Sequence, residues 1–168
     1  MISRIILLTL ITLSTQSTTS SKTYTPMDLI DYTLRVIGYS KNFFVLDPDK
    51  YLMNSFNFME AQRILESLYR YRGMKTFIYI CSNINNLSPT FPSSIAFELS
   101  RRLDYNTNPR YYFVFVLAAE QRKYFYYVGD SIRNYLPPST VDRIVNSQSR
   151  YLSNREFGNA IMGILKSL

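Results

Sequence analysis

Histidine is absent from this chain, and so is tryptophan. Without an imidazole there is no Ser-His-Asp or Cys-His nucleophile system, no histidine proton shuttle near neutral pH, and none of the common zinc sites. Nucleophile pairs of the Ser-x-x-Lys type have no convincing setting either. Cysteine occurs once, at Cys81, so no intrachain disulfide forms. That thiol closes the apolar run Phe77-Ile78-Tyr79-Ile80-Cys81, which points to a buried and inert side chain. Glycine is scarce. The five residues stand apart at Gly38, Gly73, Gly129, Gly158 and Gly163, and they make neither a dinucleotide fingerprint nor the phosphate-cradling loop of nucleotide hydrolases. Long apolar runs are missing beyond the N-terminus, and a bilayer crossing needs roughly 20 such residues.

What is present is aromatic and basic. The 15 tyrosines and 11 phenylalanines favour strands, where flat rings pack across a pleated surface. The same rings would suit stacking on single-stranded nucleic acid, but no glycine-aromatic RNA motif accompanies them. Core and sheet packing is the expected role, with no nucleic-acid partner. The net charge of +7 is spread over Arg63, Arg70 and Arg72, then Arg101 and Arg102, then Arg122 and Lys123, which reads as a solvated surface rather than a binding stripe.

Residues 1–20 have the layout of a secretory signal peptide: Arg4, the apolar run Ile5 to Leu13, then small polar residues up to Ser20 and Ser21. A buried N-terminal strand, or a short anchor left uncleaved, are the other readings of that segment. Cleavage is expected, giving a secreted, extracellular chain with no membrane span. A single glycosylation sequon, Asn86-Leu87-Ser88, lies in a polar stretch, with Pro89 directly behind it.

Periodicity orders the rest. Leu29, Ile30, Leu34 and Ile37 have helical spacing over Met27 to Ile37, ending at Gly38. Phe43 to Leu46 is a short strand stopped by Asp47-Pro48-Asp49. Asn57 and Glu60 make a capping-box pair for a helix with Ala61, Ile64, Leu65 and Leu68 inward, closed by Gly73. Thr76 to Cys81 is the next strand, followed by a loop through Asn83, Asn85 and Asn86. Pro92 opens a helix carrying Ile95, Leu99 and Leu103. Tyr111 to Ala118 is apolar on both faces, as in a central covered strand, and Lys123 to Val128 returns beside it as an antiparallel hairpin partner. Pro137 and Pro138 start a helix, and Ser153 with Glu156 forms a capping box before the last one. The expected fold is a single three-layer α/β domain over residues 42–168, with a mainly parallel sheet, one antiparallel hairpin strand and helices on both faces. Residues 21–41 form an N-terminal extension with a short helix.

The remaining chemistry is acidic. Asp47 and Asp49 follow the first strand and Glu120 leaves the third, and the carboxyl ends of parallel strands share one edge, the usual place for a ligand crevice. With Asn83, Asn85 and carbonyl groups they would make an oxygen-rich calcium site. The plainer reading keeps Asp-Pro-Asp as a turn and Glu120 as a hairpin-loop residue in water. No catalytic residue and no cofactor other than calcium is indicated.

The ordered set of local strings resembles the TPM domain, found in thylakoid-lumen phosphatase-like proteins, bacterial exported proteins and nematode modulators of levamisole receptors. The strings are Val45-Leu46-Asp47-Pro48-Asp49, the helix from Glu60-Ala61, Gly73 to Cys81, the hairpin joined by Glu120-Gln121-Arg122, Gly129-Asp130-Ser131-Ile132, Leu136-Pro137 and Phe157 to Ile164. The Asp-Pro-Asp turn and the leader look most like the nematode branch, although Leu46 stands where that branch often has cysteine and no membrane span follows the domain. The resemblance implies a non-catalytic interaction module whose partner is a membrane receptor or an acetylcholine-gated channel. Its alternative implication is a metal-dependent acid phosphatase with Asp47, Asp49 and Glu120 as cation ligands.

Overall fold

A computed structural model describes residues 21–37, 42–52 and 56–168. The leader read at 1–20 and the stop at Gly38 lie outside the described residues. Among the described residues, six strands, β1 (Thr23–Tyr24), β2 (Phe43–Leu46), β3 (Lys75–Cys81), β4 (Asn83–Ile84), β5 (Tyr112–Ala118) and β6 (Lys123–Val128), run in chain order with six α-helices. These are α1 (Pro26–Val36), α2 (Phe58–Arg72), α3 (Thr90–Asp104), α4 (Pro138–Ser147), α5 (Ser149–Ser153) and α6 (Phe157–Ser167).

The main sheet has the order β2-β3-β5-β6. β2, β3 and β5 are parallel, and β6 pairs antiparallel with β5 from Phe113↔Val128 to Ala118↔Lys123. Alternation along the strands splits the core in two. Ile78, Ile80, Phe113, Phe115 and Leu117 point to the face covered by α2, α4 and α6, where Ala61, Leu65, Val141, Val145, Ile161 and Leu165 meet them. Phe77, Tyr79, Cys81, Val114 and Val116 point to the other face, under Leu29 and Ile30 of α1 and Ile95 and Leu99 of α3. The architecture is therefore the three-layer α/β sandwich with one antiparallel strand that the periodicity implies. Val114 and Val116 are both wholly inaccessible, as a strand apolar on both faces requires.

Residues 21–37 are woven into this body. β1 pairs in parallel with β4 through Thr23↔Asn83 and Tyr24↔Ile84, so the stretch read as a loop begins with a two-residue strand. Thr33 of α1 is fully buried, and its hydroxyl meets the Tyr79 hydroxyl at 2.7 Å. α1 also carries a reciprocal capping box, Thr25 with Asp28, which the sequence pattern of Thr-x-x-Asp conceals because Asp replaces the usual Glu or Gln.

Helix ends depart from expectation in two places. α3 begins at Thr90, with Pro92 inside its first turn, where a missing N–H leaves no intrahelical bond unmade. Ser153 does not cap the last helix: it ends the short α5, and α6 starts behind Glu156 with no side-chain cap bond. Arg155, at φ 60°, turns the chain between them, and the Glu156 carboxylate instead accepts from Asn159 at 2.9 Å. Asn57 does cap α2, accepting from the Glu60 N–H at 3.0 Å, while the Glu60 carboxylate pairs with Lys166 of α6. Gly73, at φ 65°, closes α2 in the left-handed conformation that glycine adopts without strain.

Candidate functional site

The carboxyl ends of β2, β3 and β5 lie side by side, because Leu46 is in register with Tyr79 and Cys81 with Ala118. The chain therefore delivers Asp47 and Asp49, then Ser82, then Glu120 to one edge of the sheet. Their carboxylates are engaged by donors of the same chain.

Asp47 folds the turn beneath it. Its Oδ1 accepts the Tyr51 N–H at 2.8 Å and its Oδ2 the Leu52 N–H at 2.6 Å. Partial burial raises its pKa, and these two amide bonds oppose the rise. Lys50, at φ 63°, carries the chain round the same turn. Asp49 reaches across the edge. Its Oδ1 accepts the Tyr24 hydroxyl at 2.7 Å, and its Oδ2 takes both the N–H and the hydroxyl of Ser82, each at 2.7 Å. Loss of solvent at Tyr24, reinforced by the Asp49 bond, drives that phenol far above its ordinary pKa and keeps it a donor.

Glu120 stands further out. Its Oε1 accepts the Tyr51 hydroxyl at 2.7 Å, and Arg155 grips both oxygens at 2.6 and 3.2 Å. The Arg155 bond, then the Tyr51 bond, hold this carboxyl below the usual glutamate range. Tyr51 itself is pushed up to about 12, mainly by desolvation, and its ring stands edge-on to Phe157 at 5.4 Å. Gln121 clips the edge to β4 by exchanging both amide bonds with the Ile84 backbone, at 2.9 and 3.0 Å.

Asp47, Asp49 and Glu120 thus share an edge, joined through Tyr51 and Ser82, yet each carboxylate serves a different set of donors. Among the described residues, no three histidine, cysteine, aspartate or glutamate side chains are grouped to hold a metal ion. Asn83 donates to the Ser21 hydroxyl at 2.9 Å rather than turning to the carboxylates, and Asn85 and Asn86 are exposed on the loop beyond β4. As arranged, these residues do not fit a cation cage. Cys81 is sealed in the core, and burial pushes its thiol up to about 12, so it supplies no nucleophile.

Four residues of this edge carry no flag in the sequence reading. Ser82 was findable, because it follows a buried strand at the same edge as the aspartates. Tyr51 lies four residues past Asp47, within reach of a turn. Tyr24 and Arg155 arrive from the two ends of the chain, and no local pattern announces them.

Comparison with known proteins agrees with this fold. No curated protein matches the chain. Solved structures do, among them two solution NMR structures of N-terminal domains. For a protein from P. gingivalis, the TM-score is 0.58 at 16% identity, covering 88% of this chain and 92% of that one. For a protein from Corynebacterium glutamicum, the TM-score is 0.53 at 16% identity, covering 77% of this chain and 78% of that one. At that identity the likeness speaks for the fold alone. The profile of the TPM domain matches residues 45–168, from the middle of β2 through α6 and across the whole acidic edge, and the chain belongs to the TPM domain family.

Proposed function

We propose that this TPM domain is a non-catalytic interaction module working outside the cytosol, with a membrane receptor or channel protein as its partner. The observation that carries the reading is the state of the acidic edge: Asp47, Asp49 and Glu120 are all held by donors of their own chain. Carboxylates used in this way tie segments together, and every oxygen of the three already accepts at least one bond, which leaves fewer lone pairs for a cation or a proton in flight. The buried Cys81 and the absence of histidine remove thiolate and imidazole chemistry from the choices. The extracellular setting rests on the N-terminal sequence, and the acetylcholine-gated class of partner on the resemblance to the nematode branch.

A metal-dependent acid phosphatase is the second reading, favoured by the delivery of three carboxylates to one sheet edge. It requires Arg155 to leave Glu120 and the Asp49 bonds to Tyr24 and Ser82 to open. Two assays separate the readings. The purified chain is incubated with p-nitrophenyl phosphate and millimolar calcium or magnesium, and the chain is co-expressed with an acetylcholine-gated channel and co-purified. No metal-dependent turnover together with stoichiometric recovery on the channel is the expected result. Turnover abolished by Asp49→Asn, without channel binding, would replace the module by the enzyme.

A further inference from the structure

Where the β5–β6 turn meets α4, α5 and the start of α6, the surface opens into a cleft of about 270 Å³. Its floor is apolar, from Leu117, Val145 and Phe157, and three cations, Arg122, Lys123 and Arg155, line it without any carboxylate. Arg155 is tied to Glu120 outside the cleft. Arg122 and Lys123 form no salt bridge and no side-chain hydrogen bond among the described residues, and both are exposed. Arg122 is held at φ 52° by the turn, a region that few non-glycine residues occupy. Two unpaired cations above an apolar floor make an amphipathic receptacle, with hydrocarbon below and guanidinium and ammonium above. The Ser149 and Ser153 hydroxyls of α5 add donors to its lining.

We propose that this cleft binds a carboxylate carried on a short apolar body. The guanidinium fork of Arg122 matches a carboxylate in two parallel bonds, Lys123 supplies a second positive charge, and the apolar body covers Leu117 and Val145. A free aliphatic acid and the C-terminal carboxylate of a protein ending in an apolar residue share this chemistry. The cleft adjoins the carboxylate-rich edge through Arg155, but Arg122 and Lys123, the cations that would take the ligand, are not bonded to that edge, and binding by them does not require the edge to be catalytic.

The test is a titration of the 15N-labelled chain, followed by amide shifts, with sodium hexanoate, with acetyl-Leu-Leu bearing a free C-terminus, with the same peptide as its amide, and with inorganic phosphate. Saturable shifts confined to residues 117–124 and 145–157 are expected with hexanoate or the free-acid peptide, and not with the amide or phosphate. Tighter binding of the peptide assigns the carboxylate to a protein terminus, and tighter binding of hexanoate to a free acid. Arg122→Gln and Lys123→Gln, both at exposed positions, weaken binding about tenfold each, and Arg150→Gln, on α5 but outside the lining, leaves it unchanged. Absence of saturable shifts with either carboxylate, equal binding of phosphate or of the amide, or full retention in both cleft variants overturns the proposal.

Discussion

Asp49 joins three segments that are distant in sequence: its own turn, Tyr24 in β1, and Ser82 beyond β3. Asp49→Ala leaves a phenol, a hydroxyl and an amide without their acceptor, and the loss of stability in urea unfolding is expected at about 1–3 kcal/mol. An unchanged midpoint and slope would mean that solvent replaces those bonds freely. Gly129 is constrained differently. A Cβ placed there would sit 2.4 Å from the carbonyl oxygens of both Pro109 and Arg110, and backbone has no rotamer with which to retreat. Gly129→Ala therefore costs about 1–3 kcal/mol, read as a lowered melting temperature; a variant as stable as the parent would contradict the close approach. Glu120 gives a pH signature. Its folded pKa is depressed by Arg155 and Tyr51, so its contribution is complete above the unfolded value near 4.5 and fades as pH falls through the lower folded value. Because the pair is exposed, that contribution is no more than about 1 kcal/mol. Glu120→Gln should melt below the parent at pH 7, with the gap closing in acid. A gap that persists below both values would assign the effect to packing.

At the scale of elements, the N-terminal segment decides whether the domain is whole. α1 places Leu29, Ile30 and Thr33 at or near zero exposure, and it shares a buried hydroxyl pair with Tyr79 of the central sheet. Leu29→Ala should cost about 2–5 kcal/mol in a single cooperative transition; a loss below 1 kcal/mol by the same measurement would make α1 an appendage. The helices and strands were legible where one rule acts locally. Tyr112–Ala118 is apolar on both faces, Gly73 stops α2, and the four-residue link from Ala119 to Arg122 forces a hairpin. Legibility fails where partners are remote. β1 and β4 are two residues each and exist only because they pair across the molecule, so neither has a periodicity of its own. Ser153 and Glu156 have the spacing of a capping box, but α5 claims Ser153 first. The acidic edge was legible as a location, because strand ends converge by topology. Its bonding was not, because Tyr24 and Arg155 come from opposite ends of the sequence.

The whole molecule is a closed sandwich in which the edge expected to hold chemistry is laced shut by its own hydroxyls, amides and one arginine. The proposed binding capacity lies beside that edge, in the cationic cleft, and on a surface with exposed tyrosines such as Tyr71, Tyr105 and Tyr111, a residue type that anchors protein interfaces. No helix among the described residues is long and apolar enough to cross a membrane. Asp47, Asp49 and Glu120 act in this fold as acceptors for donors of their own chain. A cation bound there at 100 times its Kd would add about 2.7 kcal/mol to the folded state, several degrees in melting temperature for a domain of this size. Thermal melting of the purified chain with and without millimolar calcium tests this directly. Superimposable curves are expected for the parent and for Asp47→Asn alike, after each is referred to its own calcium-free melt; a rise of several degrees in the parent that Asp47→Asn abolishes would make these carboxylates cation ligands instead.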